Sequence, residues 1–330
     1  MKLRLILIFS LIAGLLYGQK GMADEPLKFN ALSMQAAKEG WNAKDFGVKR
    51  SLGLKGHGKM PQVAVGKLRA LKAAPTSLDW RNNNGNFVSS VKDQGNCGSC
   101  WAFAATGALE SITMIASNKP GANLDLSEQI MVSCDTADQG CNGGYPDEAA
   151  NYIKNPGLPV ESCFSYTATD APCQNACANW QASAYKATNW GYAATVSPDA
   201  DSIKSALATY GPLTTTMMVY EDFFYYSSGV YKYTSGSRQG GHAILIVGYN
   251  DGGQYFIVKN SWGASWGENG YFRIAYSELQ GKTEFGASSI YYETATQPTP
   301  PTPPTPPSPG CITKPGKPGA NTIKPWWILW

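Results

Sequence analysis

Histidine is nearly absent from this chain, which contains only His57 and His242 among its 330 residues. Any reaction that needs an imidazole base must therefore use one of these two side chains. A zinc site built on Cys97 and Cys100 would need a second well-spaced cysteine pair or a nearby histidine, and the sequence has neither. We therefore expect no metal ion and no other cofactor.

A long apolar segment is also missing. The apolar run from Leu5 to Leu16 is well short of the ~20 residues that a membrane-spanning helix needs. It follows two basic residues and precedes Gly21-Met22-Ala23, which places small residues where a signal peptidase reads them. This pattern predicts a secretory signal peptide over residues 1–23 rather than a membrane anchor, and hence a secreted or extracytoplasmic protein.

Charged residues are few, at 15% of the chain, and their signs are segregated. Residues 24–74 carry ten Lys or Arg against four Asp or Glu, a net +6, whereas residues 75–295 carry eleven against twenty, a net −9. The basic segment shows no recognised nucleic-acid motif, so we expect no nucleic-acid partner. Its place after an export signal and its apolar residues, such as Trp41 and Phe46, favour a propeptide; a solvated linker is the alternative.

Two cysteines stand in a glycine-rich turn at residues 94–100, directly before a largely apolar, helix-competent run. This order predicts that a helix begins at Cys100. At a helix N-terminus the unpaired backbone N–H groups and the positive end of the macrodipole favour a thiolate over a thiol. Cys100 is therefore the candidate nucleophile, and Cys97 is its structural neighbour.

A base, and a residue to orient it, lie downstream. His242 follows a glycine pair and opens an apolar, strand-like run, and Asn260 follows the next such run. Taken singly, a histidine on a strand or an asparagine after one is more often structural than functional. Their order after the cysteine turn makes a functional role the stronger interpretation.

Together these segments resemble the papain family of cysteine peptidases over residues 75–293. The matching positions also include Gln94, Trp262 and the motif Cys141-Asn142-Gly143-Gly144-Tyr145-Pro146. The stretch 211–242 most resembles the cathepsin B-like and dipeptidyl-peptidase-like members of the family.

The resemblance implies catalytic roles for four residues and places a fifth, Trp262, with the substrate-binding residues. Cys100 would be the nucleophile, and His242 its ion-pair partner and later general acid. Asn260 would orient the imidazole, and Trp262 would shield that contact from water. Gln94 would donate its side-chain amide to the oxyanion, beside the Cys100 backbone N–H.

The resemblance also implies a substrate cleft. Gly143 and Gly144 would pair with the substrate backbone. An apolar, uncharged pocket would hold the side chain two residues before the cleaved bond, which predicts an unbranched-aliphatic or aromatic preference there. The residues that would line this pocket are Pro146, Thr216, Gly241, Ala243 and Ile290.

Because the signal peptide predicts export to an oxidising compartment, we interpret the eight cysteines as a disulfide framework. With Cys100 kept as a thiol, the resemblance implies two pairs, and a third local pair follows by elimination. The three pairs are Cys97–Cys141, Cys134–Cys173 and Cys163–Cys177. Cys311 is left over.

The pattern of elements changes near residue 212. Before it, caps and stop signals predict helices, including one after Ser127, one over Pro146–Lys154, and one opened by Ser197-Pro198-Asp199 with the proline at the first helical position. After it, β-branched and aromatic runs predict strands over residues 213–220, 229–233, 243–249, 255–259, 270–276 and 287–292. With the resemblance, this implies an α+β fold: a helical N-terminal half and a β-barrel-like C-terminal half, with the active site in the cleft between them.

Proline and threonine dominate residues 296–310, which predicts an extended polyproline II linker. The tail, residues 311–330, is basic and ends in Pro325-Trp326-Trp327-Ile328-Leu329-Trp330. This aromatic end suits contact with a polymer, a membrane surface or a partner, and a disordered end is the alternative. We otherwise expect a monomer whose partners are polypeptide substrates and its own propeptide, which acts as an inhibitor.

The expected activity is that of a secreted cysteine endopeptidase made as a zymogen. In cathepsin B, exopeptidase action depends on a histidine-bearing loop over the primed side of the cleft, and this chain has no histidine between His57 and His242. A papain-like acyltransferase or ligase would keep the same residues and remains an alternative. A non-catalytic papain-like binding protein would be expected to have lost Cys100, His242 or Gln94, and none is lost.

The opposite charges of residues 24–74 and 75–295 predict latency that acid relieves. Carboxylates lose charge as the pH falls toward ~4 while Lys and Arg keep theirs, so the attraction weakens in acid and at high salt. We expect the proform to process itself near residues 70–75 faster at pH 4 than at pH 7.5, as followed by product size at low and high salt. Faster maturation at neutral pH and low salt would rule out the electrostatic account, but not a propeptide held by apolar contacts.

Overall fold

The computed structural model describes residues 28–29, 51–55 and 74–296. The chain divides into the units Met1–Pro298 and Thr299–Trp330, and every described residue lies in the first. The predictions for the signal peptide, Trp41, Phe46, Cys311, the tail, and the linker beyond residue 296 lie outside the described residues. None of the helices in the described part has both the length and the apolar character needed to cross a membrane.

The described residues form four α-helices, each beginning and ending at recognisable signals. They are α1 (Cys100–Ala116), α2 (Glu128–Cys134), α3 (Pro146–Lys154) and α4 (Ala200–Tyr210). Ser127 caps α2 by accepting a hydrogen bond from the Ile130 N–H at 3.2 Å, and a proline occupies the first position of α3.

The predicted start of α4 is wrong by two residues, because the helix begins at Ala200 rather than at Pro198. Asp199, not Pro198, occupies the boundary: its carboxylate accepts a hydrogen bond from the Ser202 N–H at 2.8 Å, and Pro198 lies before this cap. The physical reason is that a carboxylate satisfies an unpaired N–H of the first turn, which a proline ring cannot do.

One large sheet carries most of the strands. Its order is β3-β10-β4-β7-β8-β9-β6, with β2 also paired to β7; all pairings are antiparallel except the one between β6 and β9. Apart from it, β1 pairs with β5. The strands are β1 (Lys28–Phe29), β2 (Ser77–Asp79), β3 (Lys186–Ala194), β4 (Leu213–Tyr220), β5 (Tyr226–Ser228), β6 (Val230–Tyr231), β7 (Arg238–Asn250), β8 (Tyr255–Lys259), β9 (Tyr271–Ala275) and β10 (Ser289–Thr296).

The sheet is covered on both faces, so it divides the core into two clusters. Along β7, Ala243, Leu245 and Val247 belong to the cluster that contains α1, whereas Ile244 and Ile246 belong to the cluster that contains α4. Because side chains alternate along a strand, burial of both faces requires an uninterrupted apolar run such as the one at residues 243–247. The fold is therefore α+β, as expected, with α1 packed directly against the strand that carries His242.

Candidate active site

Cys100 is the first residue of α1 and is completely buried. Its sulfur accepts a hydrogen bond from the Ala243 N–H at 3.3 Å, and the backbone N–H groups of Gly53, Trp101 and Cys100 itself also stabilise it. Two of these four donors come from the start of the helix, as the sequence predicts. The sulfur therefore lies among backbone dipoles that favour negative charge.

His242 lies on β7 and is also fully buried. Its Nε2 is 2.8 Å from Asn260 Oδ1, which also accepts the Ser261 N–H at 2.8 Å, and its ring stacks on Trp262 with 4.7 Å between centroids. Since Oδ1 is an acceptor, Nε2 carries the proton, and the neutral ring leaves Nδ1 as an acceptor. Nδ1 is buried and has no hydrogen-bond partner among the described residues, Cys100 included.

Burial controls the protonation of both groups in this closed state. Exclusion of water raises the pKa of Cys100 to about 11, although the four backbone donors act against it. Exclusion of water also lowers the pKa of His242 to about 4, although the hydrogen bond that the imidazole donates to Asn260 acts against this shift. The pair is therefore a neutral thiol and a neutral imidazole, because desolvation outweighs the helix terminus on which the sequence argument relied.

Gln94 is fixed by hydrogen bonds at both ends of its side-chain amide. The Ser261 hydroxyl donates to Oε1 at 2.7 Å, which leaves Nε2 to point the other way. There Nε2 donates to the Cys97 carbonyl and to the Ser51 carbonyl, each at 2.9 Å. The amide thus already holds a carbonyl oxygen from another segment, as an oxyanion donor would.

Residues 51–55 occupy the cleft, and we call this segment the plug. Its backbone pairs with both walls: the Leu54 N–H donates to the Gly241 carbonyl at 3.2 Å, and the Lys55 N–H donates to the Gly144 carbonyl at 3.1 Å. The Gly144 N–H in turn donates to the Gly53 carbonyl at 2.8 Å. Two predicted substrate-binding glycines therefore pair with backbone in this structure, and the backbone belongs to the chain itself.

Gly53 marks the tightest point of the plug. A Cβ at this position would lie 1.7 Å from the Gly98 carbonyl oxygen, closer than any side chain allows. The two flanking leucines lie on the glycine pair before His242: Leu52 Cδ1 is 3.2 Å from a Cβ placed at Gly240, and Leu54 Cδ2 is 2.8 Å from one placed at Gly241. Gly53 in the plug and the Gly240–Gly241 pair on β7 have no side chains, so the plug backbone can lie directly against the cleft wall.

The other predicted pocket residues lie on neighbouring elements. Thr216 on β4 pairs with Ala243 on β7, and Ile290 on β10 pairs with the next strand at Thr214. Pro146 is the buried first residue of α3, and Gly143 lies beside the plug, where a Cβ would meet the Gly53 oxygen at 2.5 Å. That these residues surround a substrate side chain remains a prediction.

The cysteines form the three disulfides expected from the sequence: Cys97–Cys141, Cys134–Cys173 and Cys163–Cys177. Among the described residues, Cys100 is the one free cysteine. The Cys97–Cys141 bond joins the turn before Cys100 to the loop that carries Gly143 and Gly144. It therefore ties together two segments on the helical side of the cleft.

Sequence reasoning missed several residues that support the site. Lys259 is buried, and its Nζ donates to the Ser89 hydroxyl at 3.0 Å; Ser89 in turn donates to Glu110 on α1. A lysine directly before Asn260 in an otherwise apolar strand was a visible signal of this contact. Ser261, next to Asn260, and the plug had no comparable signal, because their contacts are made by a common hydroxyl and by backbone.

Comparison with known proteins identifies relatives of this arrangement. The model for "Papain family cysteine protease" matches residues 74–292. A cathepsin B-like protein of Giardia intestinalis is 41% identical over 215 residues, 61% of this chain and 69% of the relative. Mouse pro-cathepsin H is 43% identical over 215 residues, 63% of this chain and 62% of the relative.

Solved structures give the same result. A Carica candamarcensis cysteine protease in complex with E-64 superposes with a TM-score of 0.56 at 30% identity, covering 67% of this chain and 99% of that one. The ragweed pollen cysteine protease Amb a 11 in its proform superposes with a TM-score of 0.60 at 30% identity, covering 72% of each chain.

The tight fit of Gly53 leads to a testable expectation. In the Gly53→Ala proform the added methyl would clash with the Gly98 carbonyl, so the plug should leave the cleft and expose the Cys100 thiol. We expect alkylation of Cys100 by iodoacetamide at pH 7.5 to be faster by about tenfold or more, corresponding to ~1.4 kcal/mol of lost plug binding. Intact-mass measurement of the proform over time would report it.

Ser51→Ala is the matched control, since Ser51 contacts Gln94 through its main-chain carbonyl and the substitution leaves that group in place. Equal alkylation rates in wild type, Ser51→Ala and Gly53→Ala would show that the plug does not limit access to the thiol.

Proposed function

Because this chain belongs to the papain family of cysteine proteases, we propose that it is a secreted endopeptidase, made as an inactive precursor. Its cysteine peptidase activity would proceed through a thioester on Cys100. This proposal rests on four side chains that lie in one site. Cys100 supplies a free, buried thiol, and His242 supplies an imidazole that is hydrogen-bonded to the Asn260 amide. The Gln94 side chain supplies a second amide, which Ser261 holds in a fixed orientation.

The proposed reaction begins when the plug leaves and water enters. A proton then moves from the Cys100 thiol to His242 Nδ1, the unpaired acceptor, and leaves a thiolate next to an imidazolium. The sulfur forms a bond to the substrate carbonyl carbon, and the oxygen takes the negative charge. Gln94 Nε2 and the Cys100 N–H would stabilise that oxyanion.

Collapse of the tetrahedral intermediate completes acylation. The carbon–nitrogen bond breaks as the imidazolium gives its proton to the leaving amine, which leaves an acyl thioester on Cys100. His242 then removes a proton from water, which hydrolyses the thioester and restores the thiol. Asn260 keeps the ring in one orientation throughout, since Nε2 donates to its Oδ1 in every step.

The plug supports the assignment of residues 24–74 as a propeptide, because its chain runs opposite to a substrate. From Ser51 to Lys55 it passes from Gln94 to Gly144. A substrate would place an earlier residue at Gly144 and its cleaved carbonyl at Gln94. In the plug the backbone N–H of Gly53 favours negative charge on the Cys100 sulfur.

The protonation states indicate where an acid trigger would act. In the closed state the proton of the pair is on the thiol. After opening, the proposed reaction moves it to the imidazole. Both states therefore bind the same number of protons at neutral and mildly acidic pH, so the pair alone gives opening no pH dependence. Any acceleration of maturation by acid would come from carboxylates, in line with the charge pattern of the sequence.

The leucines of the plug support an apolar substrate preference. Leu54 lies where the residue two before the cleaved bond would pair with Gly144, and its side chain contacts Gly241. No histidine lies between His57 and His242 to capture a substrate terminus as in cathepsin B, which favours cleavage within a chain. Polypeptides with an apolar residue at that position are therefore the proposed substrates.

The direct test of the proposed function is the Cys100→Ala variant. We expect loss of hydrolysis of fluorogenic peptides to background, with an unchanged thermal unfolding midpoint, because the thiol takes part in no disulfide. A thiol-alkylating epoxide should abolish wild-type activity in the same assay. More than trace activity in the variant would show that another residue is the nucleophile.

A peptide library tests the substrate preference. The mature enzyme should favour Leu and other aliphatic or aromatic side chains two residues before the cut, and should cleave within peptides blocked at both ends. Sequencing of the products would show both properties. A profile dominated by Arg or Glu at that position, or cleavage confined to free termini, would contradict the assignment.

A further inference from the structure

Tyr166 lies behind the turn that connects Gln94 to the nucleophile. Its hydroxyl is 2.8 Å from the Gln94 carbonyl oxygen and 2.6 Å from Ser99 Oγ. A carbonyl only accepts, and a phenol has one proton to give, so Tyr166 donates to Gln94 and Ser99 donates to Tyr166. One hydroxyl group therefore holds both ends of the turn.

This contact changes the role of Ser99. Ser99 is the residue that caps α1, where a serine oxygen ordinarily accepts an N–H of the first turn, yet its side chain makes no capping hydrogen bond here. The Trp101 N–H instead stabilises the Cys100 sulfur. Tyr166 thus keeps a competing oxygen away from a backbone donor of the nucleophile.

Tyr166 is itself held firmly from several sides. Its N–H donates to Glu161 Oε1 at 2.6 Å, and its ring meets Phe103 edge-on with 4.8 Å between centroids. The Cys163–Cys177 disulfide closes the segment around it. Burial raises the pKa of the Tyr166 hydroxyl, so the group stays a donor throughout the neutral and acidic range.

We propose that Tyr166 is a positioning residue for catalysis. By holding the Gln94 main chain and the Ser99 hydroxyl together, it sets the direction of the oxyanion donor and leaves the first N–H groups of α1 to the sulfur. This inference rests on the roles proposed above for Gln94 and Cys100. It adds a residue that contacts neither the substrate nor the reacting atoms.

The test compares Tyr166→Phe with Tyr276→Phe in the mature enzyme. Tyr276 is a half-buried tyrosine whose hydroxyl donates to Asp251 at 2.8 Å, so the control loses a similar hydrogen bond elsewhere. We expect Tyr166→Phe to lower kcat about tenfold, less than outright loss of an oxyanion donor. KM should change little, because the contacts of the substrate backbone with Gly144 and Gly241 remain.

The pH profile separates positioning from simple destabilisation. In Tyr166→Phe the freed Ser99 oxygen competes for the N–H groups that stabilise the thiolate, so the acidic limb of kcat/KM should move to higher pH. Adding Ser99→Ala removes the competing oxygen. The acidic limb of the kcat/KM profile should then return to its wild-type pH, while kcat stays low. An acidic limb that stays displaced in the double variant would overturn the Ser99 step.

A parallel Gln94→Ala variant separates this inference from the proposed function. If Gln94→Ala loses kcat while Tyr166→Phe behaves like Tyr276→Phe in kcat and pH profile, the inference about Tyr166 is wrong and the oxyanion role stands. If Gln94→Ala keeps full kcat, the proposed oxyanion role itself fails.

Discussion

The burial of α1 on every side is the constraint on which the rest of the structure depends. Every residue from Cys100 to Met114 is buried, so the polar groups of the helix need partners inside the protein. Glu110 finds them in Ser89 and in the Leu126 N–H at 2.8 Å, and Lys259 reaches Ser89 from the strand that precedes Asn260. This chain of contacts joins the helix that begins at Cys100 to the strand that leads into Asn260.

The buried charges of Lys259 and Glu110 stabilise each other, so these contacts form only in one arrangement of helix and strand. Burial lowers the pKa of Lys259 to about 8, and the carboxylate of Glu110 acts against that shift. Removing one partner from a buried charged network typically costs ~3–5 kcal/mol, because the other charge is left uncompensated. The absence of a side chain at Gly107 lets α1 approach the strands closely: a Cβ there would lie 3.1 Å from Leu245 Cδ2 and 4.0 Å from Lys259 Nζ. The two halves therefore meet in one register, which brings Cys100 and His242 to one place.

The sequence predicts those parts of the molecule that are fixed by local chemistry. The start of α1 follows from a glycine-rich turn before an apolar run, and the bounds of α3, β4 and β8 follow from prolines, glycines and apolar patterns. The grouping of Gln94, Cys100, His242 and Asn260 into one site was implied by the family resemblance. β3 was missed because Lys186–Ala194 mixes alanines, polar residues and a glycine, and becomes a strand through its long pairing with β10.

Other features escaped because distant parts of the chain create them. The plug binds through its backbone, which carries no side-chain signature, and Tyr166 gains its place only when the segment after Cys163 folds against the turn at Gln94. The sequence predicts a Cys100 thiolate at the helix N-terminus, but in the closed state Cys100 is a neutral thiol, for a related reason. Water is excluded by residues 51–55, and no local pattern around Cys100 contains that information.

The arrangement of the disulfides means that a reducing environment acts on this protein in two opposed ways. A reductant keeps the Cys100 sulfur from being oxidised, and it can also attack the disulfides. Cys97 is fully buried and Cys134, Cys141, Cys163 and Cys173 are partly buried, whereas Cys177 is exposed, so the Cys163–Cys177 bond is the most accessible of the three. That bond closes the loop in which Tyr166 sits. A reductant that preserves the Cys100 thiol thus also loosens the support behind the turn that carries Gln94, and the two effects set an upper limit on how reducing a medium this fold tolerates.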